Sequence, residues 1–215
     1  MYYFIKTPDW LMKLYPGCTW QMPGKGKTIY LTFDDGPHPV ATPFVLDTLQ
    51  KHGAKATFFC IGKNVQSQHA LYSRIIAEGH AVGNHTYNHL NGWKTNDEKY
   101  LQDILEAEKL MESKLFRPPY GRIGRSQLKQ LSGDNFNYNI VMWTVLSGDF
   151  DTKISNEKCL QNVLKKTVGG SIVVFHDSEK AYEKLLFTLP KVLTFFSEEG
   201  YRFERLADKN FHQCP

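Results

Sequence analysis

The stretch Thr-Ile-Tyr-Leu-Thr-Phe-Asp-Asp-Gly-Pro, residues 28–37, combines a strand-like run with two adjacent carboxylates. Its first six residues are β-branched, aromatic or apolar, which is typical of a buried strand, and Gly36 with Pro37 then ends that strand. Similar short runs recur along the chain and alternate with helical patterns. This alternation is the βαβα arrangement of a parallel sheet or barrel, so an α/β fold is predicted from residue 28 onward.

The helix predicted near 96–114 has the clearest pattern, because Leu101, Ile104 and Leu105 recur at helical spacing. Thr95 followed three residues later by Glu98 predicts a capping box at its start. The remaining predicted helices lie near 43–52, 65–78, 125–131, 156–167 and 180–199. The predicted strands lie at 28–33, 56–60, 80–83, 115–117, 139–145, 171–175 and 201–206.

Length and composition exclude several classes of protein. The chain has 215 residues, of which 41% are hydrophobic and 22% are charged, so disordered, collagen-like and coiled-coil chains are excluded. The 26 Lys and Arg are scattered against 22 Asp and Glu, giving a net charge of +4, and no nucleic-acid partner is expected. No apolar run approaches the roughly 18 residues of a membrane span, so no transmembrane segment is expected.

Residues 1–27 are predicted to form an N-terminal extension that packs on a barrel of residues 28–215. Lys6, Asp9 and Lys13 interrupt what would be the apolar core of an export signal, so a cytoplasmic location is expected. The four cysteines form no CxxC pair and are expected to be free thiols, and a monomer is expected. A short helix packed against the barrel is expected to contain Trp10, Leu11, Leu14 and Tyr15.

The hexapeptide Asn-His-Thr-Tyr-Asn-His at 84–89 suggests a metal site. Its two histidines, four residues apart, are expected on one face of a helical turn, where both can reach one ion. This spacing alone is a weak signal in a chain with 8 histidines. Asp35 ends another strand, and two His plus one carboxylate is a catalytic metal set that leaves a position for water. Asp34 would then lie beside that water as its general base.

Two further pairs of polar residues follow predicted strands. Arg117, in the stiff segment Arg-Pro-Pro-Tyr-Gly, is able to orient Asp34, and the backbone N–H of Tyr120 is able to point at a developing oxyanion. If Asp149 reaches His176, it raises the imidazole pKa and makes His176 a proton donor near neutral pH. A rigid loop with an exposed arginine and a structural His–Asp pair remain the alternatives for these segments.

Five motifs together carry a specific resemblance. TFDDGP, HTYNH, RPPYG, a Trp143-containing strand ending in Asp149, and IVVFHD occur in the order found in NodB-like polysaccharide deacetylases, carbohydrate esterase family 4, which the chain resembles. The resemblance implies a single distorted (β/α) barrel of the NodB-homology type. It also implies that Asp34 is the catalytic base, that Arg117 orients it, that Tyr120 supplies the oxyanion N–H, and that His176 supported by Asp149 is the acid. The implied metal ligands are Asp35, His85 and His89.

Two positions depart from that family pattern. Leu146 stands where members often have Asp, and Phe150 stands where they often have Trp. We expect the acid pair to survive, because Asp149 is retained, while the shape and polarity of the pocket change. The residues expected to contact substrate are Pro119, Tyr120, Leu146 and Phe150.

The predicted function is hydrolysis of an N-acetyl group from an amino sugar in a peptidoglycan- or chitin-like polysaccharide or oligosaccharide. One divalent ion is expected as cofactor, with zinc as the first choice and Co2+, Ni2+ or Mn2+ as alternatives. An amidohydrolase or deformylase of the same architecture, acting on a small or lipid-linked amide, is the alternative function. A non-catalytic barrel that binds carbohydrate is the third hypothesis.

Overall fold

The computed structural model describes residues 3–23 and 26–206, which leaves Cys214 and His212 outside the described residues. The strands are β1 Cys18–Thr19, β2 Thr28–Asp34, β3 Ala56–Cys60, β4 Ala81–Asn84, β5 Leu115–Phe116, β6 Asn139–Val141, β7 Val145–Leu146, β8 Ile172–His176 and β9 Arg202–Phe203. The α helices are α1 Asp9–Leu14, α2 Ala41–Lys51, α3 Gly62–Ser67, α4 His69–Ala77, α5 Asp97–Glu108, α6 Arg125–Ser132, α7 Asn156–Leu164 and α8 Tyr182–Glu198.

All nine described strands pair in parallel, in the order β1-β6-β5-β4-β3-β2-β8-β7, with β9 beside β2. The strands β6 and β7 lie near opposite ends of this order, yet only residues 142–144 separate them in sequence. Four residue steps span at most about 14 Å. The sheet therefore curls until its two edges approach, and the predicted distorted α/β barrel is confirmed.

The core around β2 fixes the position of the residues at its carboxyl end. Phe33 stacks between Phe58 of β3 and Phe175 of β8. Its ring centroid lies 5.1 Å from that of Phe58 and 6.0 Å from that of Phe175. Burial of each such ring stabilises the fold by about 1.5–3 kcal/mol. Since β2 lies between β3 and β8, the polar residues that follow Phe33 are presented from a rigid strand.

The N-terminal segment runs antiparallel to the edge strand β7. Leu146 donates its N–H to the carbonyl of Ile5, and Thr7 donates to the carbonyl of Thr144. This pairing covers a strand edge that would otherwise expose unpaired backbone groups. In the same segment, β1 adds a strand beside β6. Among the described residues, no helix combines the length and apolarity that crossing a membrane requires.

Only some of the residues predicted to pack the short N-terminal helix α1 against the barrel do so. Leu11, Met12 and Tyr15 pack against the hydrophobic cluster that lines β6. Trp10 and Leu14 stay exposed, so their expected packing was wrong. A helix of this length turns its other residues to solvent when one face contacts the barrel.

Several predicted element boundaries were also wrong. The strand predicted over 139–145 is broken into β6 and β7, because the chain crosses between the two ends of the strand order there. The helix predicted over 65–78 is divided into α3 and α4 at Gln68, whose ψ is 42°. The predicted helix 96–114 ends at Glu108.

The start of α5 is capped by a different residue from the one expected. Asn96 Oδ1 accepts the N–H of Lys99 at 2.9 Å, whereas Thr95 Oγ1 donates to the carbonyl of Asn91. The predicted Thr95–Glu98 capping box was therefore wrong. Asn and Thr both cap helices, so adjacent candidates are not separated by sequence alone.

Candidate active site

A carboxylate and two imidazoles meet at the carboxyl ends of β2 and β4. Asp35 Oδ1 lies 3.2 Å from His89 Nε2 and 3.7 Å from His85 Nε2. One ligand atom from each residue lies within 4.8 Å of the others. The three residues predicted to hold a metal are thus brought together.

The two histidines do not lie on a helical turn, so that part of the prediction was wrong. The strand β4 ends at Asn84, and the following residues form an irregular loop. Thr86 and His89 have positive φ values of 65° and 57°, which a right-handed helix does not allow. The loop conformation, rather than helical spacing, brings both rings to Asp35.

The surroundings of His85 prepare it to bind a metal. Its Nδ1 donates to the carbonyl of Arg117 at 2.7 Å, which leaves the lone pair of Nε2 on the side of Asp35. Burial lowers the pKa of His85 to about 4, so the ring is neutral at pH 7. Neutral imidazole nitrogens with one carboxylate form a donor set that fits zinc and similar divalent ions.

A buried carboxylate from α5 holds the loop between the two histidines. Asp103 accepts the backbone N–H groups of Tyr87 and Asn88, both at 2.9 Å, and the side-chain amide of Asn88 at 2.7 Å. These charge-assisted bonds fix a loop that has no regular secondary structure. Sequence reasoning missed Asp103, although its place beside Ile104 on the buried face of α5 was a usable signal.

Asp34, the residue before Asp35, forms a buried ion pair with Arg117. Arg117 Nη1 donates to Asp34 Oδ1 at 2.7 Å and to Thr32 Oγ1 at 2.7 Å. The guanidinium also donates to the carbonyls of Val141 and Met142, and both charged side chains are buried. A buried pair needs such additional bonds to offset its desolvation. Asp34 is thereby held in one orientation.

A second His–carboxylate pair lies on the adjacent strand. Asp149 is fully buried and accepts the backbone N–H of His176 at 2.7 Å and its Nδ1–H at 2.8 Å. Burial alone would lower the pKa of His176, but the charge and hydrogen bond of Asp149 outweigh it and raise that pKa to about 10. Because His176 is paired with Asp34 in the β2–β8 register, this pair faces the same end of the barrel.

The turn that carries Asp35 is anchored by Asp177. The Asp177 carboxylate accepts the N–H of Gly36 at 3.1 Å and the hydroxyl of Thr42 at 2.5 Å. A Cβ at Gly36 would lie 2.0 Å from Asp177 Oδ2, so this close approach requires glycine. Burial raises the pKa of Asp177 to about 8. Asp177 belongs to a motif identified in the sequence, but no role for it was predicted.

The residues predicted to contact substrate differ in exposure. Tyr120 is 53% exposed, and its ring centroid lies 4.6 Å from that of His89. Phe150 is half-buried, with its ring 5.2 Å from that of His176. Pro119 and Leu146 are buried and offer little surface to a substrate.

Tyr3 packs against Phe150, the aromatic residue beside His176. Its ring centroid lies 5.1 Å from that of Phe150, and its hydroxyl donates to Asp151 at 2.8 Å. Nothing in the sequence pattern linked residue 3 to this end of the barrel. The antiparallel pairing of the N-terminal segment with β7 places it there.

Comparison with known proteins relates most of the chain to one enzyme family. The family model for polysaccharide deacetylase matches residues 21–138. A peptidoglycan-N-acetylglucosamine deacetylase of Bacillus cereus is 37% identical over 196 residues, which cover 88% of this chain and 91% of that protein. A chitooligosaccharide deacetylase of Azorhizobium caulinodans is 34% identical over 157 residues, covering 70% and 73%.

A solved deacetylase structure also resembles this chain in fold. The crystal structure of the Bc1960 peptidoglycan N-acetylglucosamine deacetylase, in complex with 4-naphthalen-1-yl-N-oxidanyl-benzamide, superposes with a TM-score of 0.85 at 33% identity. The superposition covers 93% of this chain and 95% of that one. It therefore includes nearly all of the barrel.

Proposed function

Since the chain belongs to the polysaccharide deacetylase family and is an N-deacetylase hydrolase, we propose that it removes the N-acetyl group of an amino sugar in a peptidoglycan- or chitin-like glycan. The observation that carries the proposal is the placement of a carboxylate, Asp34, and an imidazole, His176, beside the Asp35–His85–His89 cluster. Names of the relatives support the substrate class.

Amide hydrolysis poses two difficulties, because the carbonyl is a poor electrophile and the amine leaves only when protonated. A divalent ion bound by Asp35, His85 and His89 would polarise the acetyl carbonyl and acidify the attacking water. Zinc suits this donor set best, although Co2+, Ni2+ and Mn2+ accept the same ligands.

Asp34 is the base in this mechanism. Arg117 occupies its Oδ1, which leaves Oδ2 to accept a proton from the attacking water. The guanidinium is itself held by Thr32 and by the carbonyl of Met142, so it keeps the accepting oxygen of Asp34 in place. Arg117 therefore acts as a positioning residue.

His176 is the acid that protonates the departing nitrogen. Its Nδ1–H is held by Asp149, so Nε2 carries the proton that can be transferred. The turn Pro119–Gly121 holds Tyr120 at a φ of 62°, which fixes the direction of its backbone N–H. We propose that this N–H stabilises the negative charge that develops on the carbonyl oxygen.

The assay for this function is metal-dependent release of acetate. Protein reconstituted with one equivalent of Zn2+ is expected to release acetate from chitotetraose or a peptidoglycan tetrasaccharide, and to lose this activity with a chelator. Formate release from a formylated amino sugar, or turnover of small amides in preference to glycans, would instead identify the alternative amidohydrolase. Binding of the glycan without any turnover by the metal-loaded protein would identify a non-catalytic barrel.

The pH profile tests the acid assignment. The pKa of His176, about 10, lies above its ordinary value of about 6.5, so the protonated acid persists until the pH rises through that pKa. In Asp149→Asn, the full negative charge that raises the His176 pKa is lost, while the burial that lowers it remains. The high-pH limb of the kcat/KM profile is therefore expected to move to lower pH by more than one pH unit.

Wild type and Asp149→Asn are both measured with zinc bound. The charge of the cation would lower the His176 pKa in both, so the difference between the two profiles reports the effect of Asp149. The exposed Asp134→Asn variant is the matched control and is expected to keep the wild-type profile. A high-pH limb that does not move in Asp149→Asn would exclude His176 as the acid.

A further inference from the structure

An exposed tryptophan lies on the loop that follows the two histidines. We propose that Trp93 and Arg122 form a subsite for the sugar adjacent to the one that is deacetylated, and that this adjacent sugar carries a carboxylate. N-acetylmuramic acid has this chemistry where its lactyl group carries no stem peptide. The inference rests on the proposed function and names the residues by which the chain would select its glycan.

Trp93 lies on the same end of the barrel as the reaction site. It follows His89 by four residues, and its indole Nε1–H donates to the carbonyl of Ile123 at 3.0 Å. Ile123 belongs to the loop that also carries Tyr120, whose ring contacts that of His89 at 4.6 Å. The indole thus bridges the loop after β4, which carries His89, and the loop after β5, which carries Tyr120.

The turn around Trp93 is rigid. Gln127 donates to the carbonyls of Gly92 and Thr95, and Asn91 Oδ1 accepts the backbone N–H of Trp93. A Cβ at Gly92 would lie 2.5 Å from the carbonyl oxygen of Arg122, so the turn packs directly on the neighbouring loop. A preorganised platform binds a ligand at lower entropic cost than a mobile one.

This rigid turn leaves its largest apolar group in solvent. Trp93 is 60% exposed, although its Nε1–H already has a hydrogen-bond partner. Tyr120, which is also exposed, lies on the same rim. Two exposed aromatic rings beside a hydrolytic site suit the apolar faces of consecutive sugar rings, as large exposed apolar groups commonly mark ligand sites.

The charge around Trp93 indicates which sugar binds there. The Arg122 guanidinium lies 5.0 Å from the centroid of the Trp93 ring, and Lys94 is exposed beside it. Within residues 3–23 and 26–206, neither cation forms a salt bridge. A guanidinium held over an aromatic ring is able to donate two parallel hydrogen bonds to one carboxylate.

Acetate release from two tetrasaccharides tests the subsite. The substrates are chitotetraose, which is neutral, and alternating N-acetylglucosamine and N-acetylmuramic acid, which carries carboxylates. Wild type is expected to prefer the second. Trp93→Ala should lower kcat/KM on both by ~10-fold, mainly through KM, whereas Trp93→Phe keeps a ring and should recover most of it. Arg122→Gln should remove the preference by lowering kcat/KM only on the carboxylated glycan.

Trp10→Ala is the matched control, because Trp10 is as exposed as Trp93, at 61%, but lies away from the reaction site. It follows Thr7, which pairs with Thr144 at the start of β7, whereas the reaction site lies at the carboxyl ends of the strands. It should leave both substrates unaffected. The proposal is overturned if Trp93→Ala leaves KM unchanged, and its carboxylate part is overturned if Arg122→Gln affects both glycans equally.

Calorimetric titration with the same tetrasaccharides separates the subsite from the proposed function. If wild type releases no acetate but binds the carboxylated glycan with a Kd that rises ~10-fold in Trp93→Ala, the subsite stands and the proposed activity fails. A Kd independent of Trp93 would overturn the subsite whether or not the protein is active.

Discussion

Asp34→Asn is expected to lower the turnover number about 10³-fold while one equivalent of metal stays bound. The amide keeps an oxygen toward Arg117 but has no basic oxygen left to accept a proton from water. The three residues of the metal cluster are unchanged by this substitution. Steady-state acetate release and elemental analysis of the same preparation provide the two measurements.

The same substitution is also expected to reduce stability. It leaves the fully buried Arg117 without its counter-charge, and breaking such a pair costs about 3–5 kcal/mol. Urea denaturation should therefore show a lower free energy of unfolding, and activity must be measured where the variant is still folded.

Thr32→Val separates the two effects. It removes another hydrogen-bond partner of Arg117 without touching the proposed base, so it should destabilise the protein yet keep more than a tenth of wild-type turnover. Full activity in Asp34→Asn would disprove the assignment of Asp34 as base. An equal loss of turnover in both variants would attribute the effect to the Arg117 network instead.

His85→Ala and His89→Ala are each expected to reduce bound metal from one equivalent to less than about 0.1 after dialysis, because two protein ligands hold a catalytic ion poorly. Turnover should fall with the metal content. His85→Ala should also lower the thermal midpoint more than His89→Ala, since His85 is buried and bonded to the carbonyl of Arg117.

His69→Ala provides the control for the metal measurement, because His69 is exposed on α4 and outside the cluster. It should retain the wild-type metal content. Unchanged stoichiometry in either cluster variant would remove that histidine from the ligand set.

Much of the fold and of the candidate site was predictable, because both depend on local sequence patterns. Each β-prone run produced a strand within a few residues of its predicted place, and the resemblance to the deacetylase family is confirmed by the match over residues 21–138. Side chains that directly follow parallel strands converge at one end of the sheet. For this reason Asp35 and His85 meet, although 50 positions separate them in the chain.

Residues that act through long-range contacts were not predictable in this way. Tyr3 carries no local signal of function, and the only signal of Asp103 is its place on the buried face of a predicted helix. Each reaches the site only because a helix or an edge segment packs beside it. The expected helical turn at His85 and His89 failed for a related reason. Periodicity reports a helix only when the backbone is free to form one, and here Asp103 holds the loop in another conformation.

The sequence by itself determined the alternation of strands and helices, the family, and the residue types available for metal binding and proton transfer. These follow from hydrophobic period, turn residues and motifs, all of which are local. Only the tertiary structure decided which groups are paired and therefore how each one titrates. His176 and His85 have the same side chain, yet Asp149 raises the pKa of one while burial lowers that of the other. Such differences arise from burial and neighbouring charges, which exist only once the chain has folded.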